Sequence, residues 1–292
     1  MTNTGASRPI LVTGATGNVG GAVARSLLGA GLPVRVAGTD VDRLRALFPP
    51  AEPVHLDLRR PGTFPAAVAG AGGLFLVRPP AIARVGPTLN ALLDTAARAG
   101  AGPVVFASVT GADTNRVVPH HRVETHLRAS GQAWTILRPG FFAQNLADAY
   151  REDIRSGDRI YVPAGSGRAA FIDVRDIGDV AAVVFRDPGA HRDTAYTLTG
   201  PEALSFAEVA ALLSDNLGRR IRYQPASIPG YLRHLRRRRL PLLQCVVQTL
   251  LHAGLRRGQA APVDPTLGRL LGRPPRTMAQ YVSDQRGLWM SP

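Results

Sequence analysis

The stretch VTGATGNVGGAV, residues 12–23, decides how the first half of this 292-residue chain is read. It places Gly14, Gly17 and Gly20 three apart. Before it, ILVTG (10–14) is a short apolar run of the kind that forms a strand buried on both faces. After it, NVGGAVARSLLGAG carries helical spacing and ends in glycine. Glycine permits positive φ and close approach of backbone to a ligand, and a helix N-terminus offers unpaired N–H groups to an anion. A strand before and a helix after read the loop as a pyrophosphate-binding turn, with an ordinary turn of a cofactor-free sheet as the alternative. Thr13, Gly14, Thr16, Gly17, Asn18, Val19 and Gly20 are therefore expected to bind a dinucleotide.

The same alternation continues outward. VRVAG (34–38), EPVHLDL (52–58), GLFLV (73–77), PVVFASV (103–109) and AWTILRP (133–139) read as strands, with helices from Asp40, across PTLNALLDTAARAG and across VETHLRASG. Strands alternating with helices imply an α/β fold: a Rossmann, doubly wound parallel sheet with helices on both faces. The rhythm changes after Pro139. AAFIDVRDIGDVAAVVF reads as strand then helix, AYTLTG as a strand, and SFAEVAALLSDNLG as a helix opened by a Ser205/Glu208 capping box. The expected organisation is a Rossmann domain over 1–140 and a small, mostly helical substrate domain over 141–292, with 170–200 returning to the large sheet.

Composition narrows the chemistry. The formal charge is +14 and every basic residue is arginine. Without lysine there is no Schiff base, no Walker-type lysine and no lysine base. The one cysteine, Cys245, excludes an internal disulfide and a cysteine zinc site, and its apolar surroundings suit a buried thiol. MTNTGASRP has no signal-peptide pattern, and no apolar run reaches the roughly 18 residues of a spanning helix. The expectation is a cytoplasmic protein, monomer or homodimer, with no membrane partner.

The tip of the second strand should meet the adenosine ribose. An acid there favours NAD, and a base tolerates the phosphate of NADP. Gly38 supplies no acid, and Thr39 and Arg43 are candidate phosphate contacts; Asp40 argues the other way. NADP(H) is favoured over NAD(H), with no metal.

The pieces ILVTGATGNVG, HLDL, HLRASGQAWTILRPGFFAQNL, AAFIDVRDIGDVAA, YTLTGPEALSFAEVAALLSDNLGR and LLGRPPRTMAQYV run through most of the chain in order. In them the sequence resembles the NmrA-like branch of the atypical short-chain dehydrogenase/reductases, which includes NAD(P)H:quinone oxidoreductases, azoreductase-like proteins and redox-sensing regulators. The resemblance implies that Asp57 and Leu58 lie near the adenine, that Val77, Arg78 and Pro79 follow the fourth strand beside the ribose and phosphates, and that Phe141, Phe142 and Asn145 line the substrate side. Core packing remains the alternative for the two phenylalanines, and a strand-end cap for Asp57. Ordinary short-chain dehydrogenases carry a tyrosine and a lysine four apart after strand five, and this lysine-free chain cannot.

That region here reads PHHRVETH (119–126). His120 and Glu124 are four apart and share a helix face, whereas His121 and His126 point elsewhere, which argues against a metal site. A nearby carboxylate would favour an imidazolium at His120, able to protonate an acceptor oxygen, with Glu124 orienting the ring or binding a cofactor ribose hydroxyl; the alternative is a solvated helix start with an incidental ion pair. His120 also matches a histidine of the azoreductase-like relatives. By the resemblance Ser108 corresponds roughly to the short-chain dehydrogenase serine and is the second catalytic candidate, able to hydrogen-bond a substrate oxygen; a strand-end cap is the alternative. The arginine-rich YLRHLRRRRLPLLQ (231–244) lacks a nucleic-acid motif and reads as a solvated helical face, with LPLLQCVVQTLLHAG as an apolar wall for a bulky substrate.

The expected function is an NAD(P)H-dependent reductase passing hydride to an apolar quinone-like or aromatic carbonyl or enone acceptor. The alternatives are a non-catalytic dinucleotide sensor and a non-redox epimerase, dehydratase or cyclase.

Overall fold

The computed structural model describes residues 8–290. In chain order the first elements are β1 (Ile10–Thr13), α1 (Asn18–Gly29), β2 (Val34–Gly38), α2 (Val41–Leu47), β3 (Glu52–His55), α3 (Phe64–Val68), β4 (Gly73–Val77), α4 (Ala91–Arg98), β5 (Val104–Ala107), α5 (Pro119–Ala129) and β6 (Trp134–Pro139). There follow α6 (Arg151–Gly157), β7 (Arg159–Val162), β8 (Arg168–Ala170), α7 (Val174–Arg186), β9 (Thr194–Leu198), β10 (Ala203–Ser205), α8 (Phe206–Leu217) and β11 (Arg222–Pro225). The last are α9 (Ile228–Arg237), α10 (Leu242–Leu255), α11 (Thr266–Leu271) and α12 (Met278–Asp284).

The chain forms two units. The first runs to Pro139 and adds Val174–Leu198 and Arg269–Gly272. Its seven-stranded sheet has the order β3-β2-β1-β4-β5-β6-β9 and is parallel throughout. This is the doubly wound order, in which the strand sequence reverses between β1 and β4 and leaves a crevice at their carboxyl ends. The central strands are apolar along their whole length because helices cover both faces: Leu74, Phe75, Leu76, Val104, Val105 and Phe106 have no exposed surface.

On one face α1 and α7 cross closely. A Cβ at Gly178 would lie 2.6 Å from Ser26 Oγ and 2.7 Å from Ala22 O, so only glycine allows this approach. Ser26 also donates to Asp179 at 2.8 Å. The segment that rejoins the large sheet is Val174–Leu198; the preceding β8 pairs instead with β10 in the second unit.

The second unit comprises Gly140–Asp173, Thr199–Gly268 and the chain from Arg273. It holds two small sheets, β8–β10 and β7–β11, and the helices α6, α8, α9, α10 and α12. Its core is aromatic: Tyr150, Phe171, Phe206, Tyr231, Tyr281 and Trp289 are buried together. The capping box appears as expected, with Ser205 accepting from Glu208 N and Glu208 reaching back to Ser205 N.

One boundary differs from the sequence reading. β3 stops at His55: Leu56 N still donates to Gly38 O of β2 at 2.9 Å, and Asp57 then caps the following bend by accepting from Arg59 N at 2.9 Å. α5 begins at Pro119 and so carries PHHRVETH on the helix, as the shared face of His120 and Glu124 requires; proline suits the first helical position, where an N–H would have no partner.

Candidate functional site

The glycine loop closes on itself at the crevice. Gly14 has φ +63°, a left-handed conformation, and a Cβ there would lie 2.6 Å from Val77 Cγ1. A Cβ on Gly20 would lie 2.6 Å from Thr13 O and closer still to Gly14 O. Gly17 N donates to Gly14 O at 2.9 Å and sets the N-terminus of α1. Gly17 gives no side-chain cap and the first turn of α1 has no acid, so no carboxylate of that turn repels an external anion. Thr16, Gly17 and Asn18 are exposed. These features fit the phosphates of a dinucleotide. Thr13 is buried, and its hydroxyl clips β1 to β4 by donating to Phe75 O at 3.2 Å and accepting from Val77 N at 3.0 Å.

A charged network lies two to three strands away. Arg138, near the end of β6, holds the Glu124 carboxylate in a two-pronged contact, Nε to Oε1 at 3.0 Å and Nη2 to Oε2 at 2.6 Å. Ser108, just after β5, donates to Glu124 Oε1 at 2.5 Å. Arg138 also reaches Asp113 at 3.1 Å. Glu124 and Ser108 are 2% and 3% exposed, so this is an interior ion pair with its donors and acceptors matched. The hydrogen bond to Glu124, ahead of the opposing effect of burial, raises the Arg138 guanidinium above its ordinary value.

His120 takes a different partner from the one expected. Arg78, one residue beyond β4, donates Nε–H to His120 Nε2 at 3.2 Å. The same guanidinium is braced by the carbonyls of Pro79, Pro80 and Ile82. Burial, reinforced by the charge of Arg78 and opposed by Glu124, pushes the His120 imidazole down to about 4. The expected imidazolium is therefore corrected. Glu124 is committed to Arg138 and Ser108, and the ring is neutral at physiological pH. A neutral ring accepting at Nε2 carries its proton on Nδ1.

The other histidines of the segment have structural partners. His121 Nδ1 lies 2.7 Å from Ala112 O, and His126 Nε2 lies 2.7 Å from Asp94. Thr39 and Arg43 are exposed at the end of β2, and Asp40 caps α2 by accepting from Arg43 N at 2.9 Å. Leu58, Val77 and Arg78 are half-buried. A cavity of about 540 Å³ opens between Arg59 and Pro61 after β3 and the segment Ala81–Arg84 after β4. It borders the expected adenine side; neither Ser108 nor His120 lines it.

In the second unit Phe141 sets its ring edge-on against Phe171 at 5.4 Å and His252 at 5.8 Å, within the aromatic core. Phe142 bridges to Ile172, and Asn145 N bonds to Phe142 O. Cys245 is buried there, as its apolar surroundings suggest.

Three groups escaped sequence reasoning: Arg138, the contact of Arg78 with His120, and a buried Tyr150–His252 hydrogen bond in the second unit. Their partners are 14, 42 and 102 residues apart, beyond any local spacing rule. Only a buried-strand arginine in WTILRP could have flagged Arg138, since an interior guanidinium requires a carboxylate.

The sequence pattern of the NmrA-like family matches residues 6–265. The chain belongs to the NmrA-like family. Among relatives of this NmrA-like protein is an NAD(P)H azoreductase of Xenophilus azovorans, 37% identical over 281 residues, covering 94% of this chain and 96% of that one. An NADPH-dependent quinone oxidoreductase of Escherichia coli, solved with NADPH, superposes with TM-score 0.84 at 25% identity, covering 95% and 99%. A triphenylmethane reductase of Citrobacter sp., solved with NADP(H), shares the fold with TM-score 0.82 at 22% identity, covering 94% and 99%.

Proposed function

We propose that this NmrA-like protein is an NAD(P)H-dependent oxidoreductase that reduces an apolar, quinone-like or aromatic carbonyl acceptor. The observation that carries this reading is a continuous path within the first unit. The phosphate-binding Gly14 abuts Val77, and the next residue, Arg78, reaches His120. When bound, the reduced nicotinamide supplies hydride. The chain's own groups then bind, orient and polarise. Gly14, Gly17 and Gly20 with the N-terminus of α1 would hold the pyrophosphate. Asp57 and Leu58 would flank the adenine beside the cavity.

His120 is the candidate that touches the acceptor, in a role altered by its neutral state. Its Nδ1–H makes no hydrogen bond among the described residues. It would donate a hydrogen bond to the acceptor oxygen as a neutral imidazole and keep its proton, the proton that completes the reduction coming from solvent, while Arg78 at Nε2 holds the ring and adds positive charge. Glu124 and Arg138 act as a fixed frame under α5, and Ser108 ties that frame to the end of β5. Phe141, Phe142 and Asn145 remain candidates for the substrate side.

The cofactor is proposed to be NADP(H). Asp40 is engaged as a helix cap, and Arg43 is exposed and makes no side-chain contact among the described residues, so its guanidinium can meet a 2′-phosphate.

One observation favours the dinucleotide sensor as a second reading. Ser108 already donates to Glu124, and His120 is held neutral, so neither candidate is a ready proton source. Fluorescence titration with NADPH and NADH, then an oxidation assay against quinones, aromatic carbonyls and azo dyes, separates the two. Turnover on any acceptor supports the reductase. Tight binding with no turnover supports the sensor, and no binding of either nucleotide overturns both.

A further inference from the structure

Helices α9 and α10 carry an outer surface that takes no part in binding the dinucleotide or in holding His120. α10 turns Cys245, Thr249, His252 and Leu255 inward. It leaves Leu242, Leu243, Val246, Val247, Leu250 and Leu251 exposed. These six occupy successive turns at i, i+1, i+4, i+5, i+8 and i+9, so they form one aliphatic stripe along the helix. Leu243 and Leu250 are 74% and 65% exposed. Single exposed leucines are ordinary on a protein surface; a contiguous stripe over a 14-residue helix marks an interaction face.

The charge around the stripe has one sign. Between Asp215 and Asp264 the chain has ten arginines and no acidic residue. Arg237 and Arg239 stand just before α10 and Arg257 just after it, all exposed. Their side chains make no hydrogen bond or ion pair among the described residues. A formal charge of +14 on the whole chain points the same way.

We propose that this face docks the protein peripherally on an anionic lipid surface. α10 lies in the interfacial plane with its stripe among the acyl chains, and the flanking arginines contact headgroup phosphates. Charge complementarity selects this occupant. In a two-fold pairing of α10 with a second copy, the same arginines would face one another. A helical peptide partner is seated in a groove, and a single exposed helix offers a ridge. No helix among the described residues is long and apolar enough to cross a membrane. The absence of a membrane partner was expected on span length alone, and interfacial docking does not require a span. The inference goes beyond the redox reading and does not depend on it.

The test is co-sedimentation of the full chain with vesicles of phosphatidylcholine alone and of phosphatidylcholine containing about one-third phosphatidylglycerol. The expected result is binding to the anionic vesicles at least tenfold tighter than to the neutral ones, weakening as salt is raised. Leu243→Glu combined with Leu250→Glu should reduce binding at least tenfold, as should Arg237→Ala with Arg239→Ala and Arg257→Ala. All five positions are exposed, so both variants should keep the wild-type melting curve and NADPH affinity. Failure to bind anionic vesicles overturns the proposal. Full binding by the double-glutamate variant overturns the role of α10. A wild-type dimer in light scattering that the double-glutamate variant splits, without vesicle binding, assigns the face to a second copy instead.

Discussion

Arg78 donates its Nε–H to Nε2 of His120 at 3.2 Å, and this bond determines which proton the histidine carries. With Nε2 accepting, the ring is neutral and protonated at Nδ1, and its titration is pushed down to about 4 by burial first and Arg78 second. The resulting expectation is a turnover profile with no inflection near the ordinary histidine value of about 6.5. Removing the cation in Arg78→Met should return part of the shift and bring an inflection into the range of about 4 to 6.5. Histidine C–H resonances followed by NMR give the same answer without turnover. A wild-type His120 midpoint near 6.5 would refute the neutral-ring assignment.

Glu124 and Arg138 form an interior pair whose side chains are 3% and 11% exposed. Losing one partner leaves a buried charge without compensation, which costs about 3–5 kcal/mol. Glu124→Ala should therefore lower the urea-unfolding free energy by roughly that amount, with Asp113 retaining only part of the Arg138 contact. Ser108→Ala removes one hydrogen bond to the same carboxylate and should cost about 1–2 kcal/mol. Equal losses in the two variants would show that Arg138 does not depend on Glu124.

Two buried histidines give stability a dependence on acid. His120 and His252 are each pushed down to about 4, chiefly by burial. In the unfolded chain they take up protons below about 6.5, and in the folded chain only below about 4. Between those values the unfolded state binds more protons, so stability falls as pH falls. The fall begins near pH 6.5, is complete near 4, and approaches about 3 kcal/mol per histidine. His252→Gln should flatten the acid limb of a plot of melting temperature against pH. An unchanged slope would mean that His252 is protonated in the folded core.

Much of the first unit was legible because its signals are local. The strands are short apolar runs, and the glycine loop must sit between β1 and α1, whose order follows directly from the sequence. The site was legible only in part, for a physical reason. The spacing of His120 and Glu124 places them on one face of α5, and both are indeed inward. Spacing cannot say what else arrives at that face. Arg138 comes from β6 and takes the carboxylate, and Arg78 comes from β4 and takes the imidazole. An arginine brought in by the fold beat the neighbour four residues away, since a two-pronged guanidinium–carboxylate contact outweighs a single imidazole contact. α10 was legible only in part for a similar reason. Its apolar composition suggests a wall, and only its packing shows which half of the helix is turned outward.

Cofactor preference should rest on Arg43. Asp40 is occupied by the backbone of α2, and Arg43 stands exposed one turn into that helix. A charge-assisted contact to phosphate contributes about 1.5–3 kcal/mol, so Arg43→Ala should weaken NADPH binding roughly tenfold to a hundredfold. NADH lacks the 2′-phosphate and should bind the variant and the wild type alike. Isothermal titration with both nucleotides decides the matter, and an equal loss for both would remove Arg43 from phosphate recognition.

Gly20 provides the sharpest test of the proposed phosphate-binding loop. Alanine there would gain about 1 kcal/mol of helix propensity if nothing else intervened. The added Cβ would instead stand 2.6 Å from Thr13 O and nearer still to Gly14 O, both backbone atoms of the loop. The loop must shift to admit it, and Gly14 is confined by its own contact with Val77 Cγ1. Gly20→Ala should therefore lower the melting temperature and weaken NADPH binding by at least about a hundredfold, some 2.7 kcal/mol. Gly17→Ala is the matched control for folding. Its Cβ would meet only Gly14 O, at the ordinary distance of 3.4 Å, so the melting curve should stay close to wild type. Thermal melts by circular dichroism and nucleotide titration of both variants read the two effects separately. Wild-type NADPH affinity in Gly20→Ala would show that the loop does not cradle the pyrophosphate.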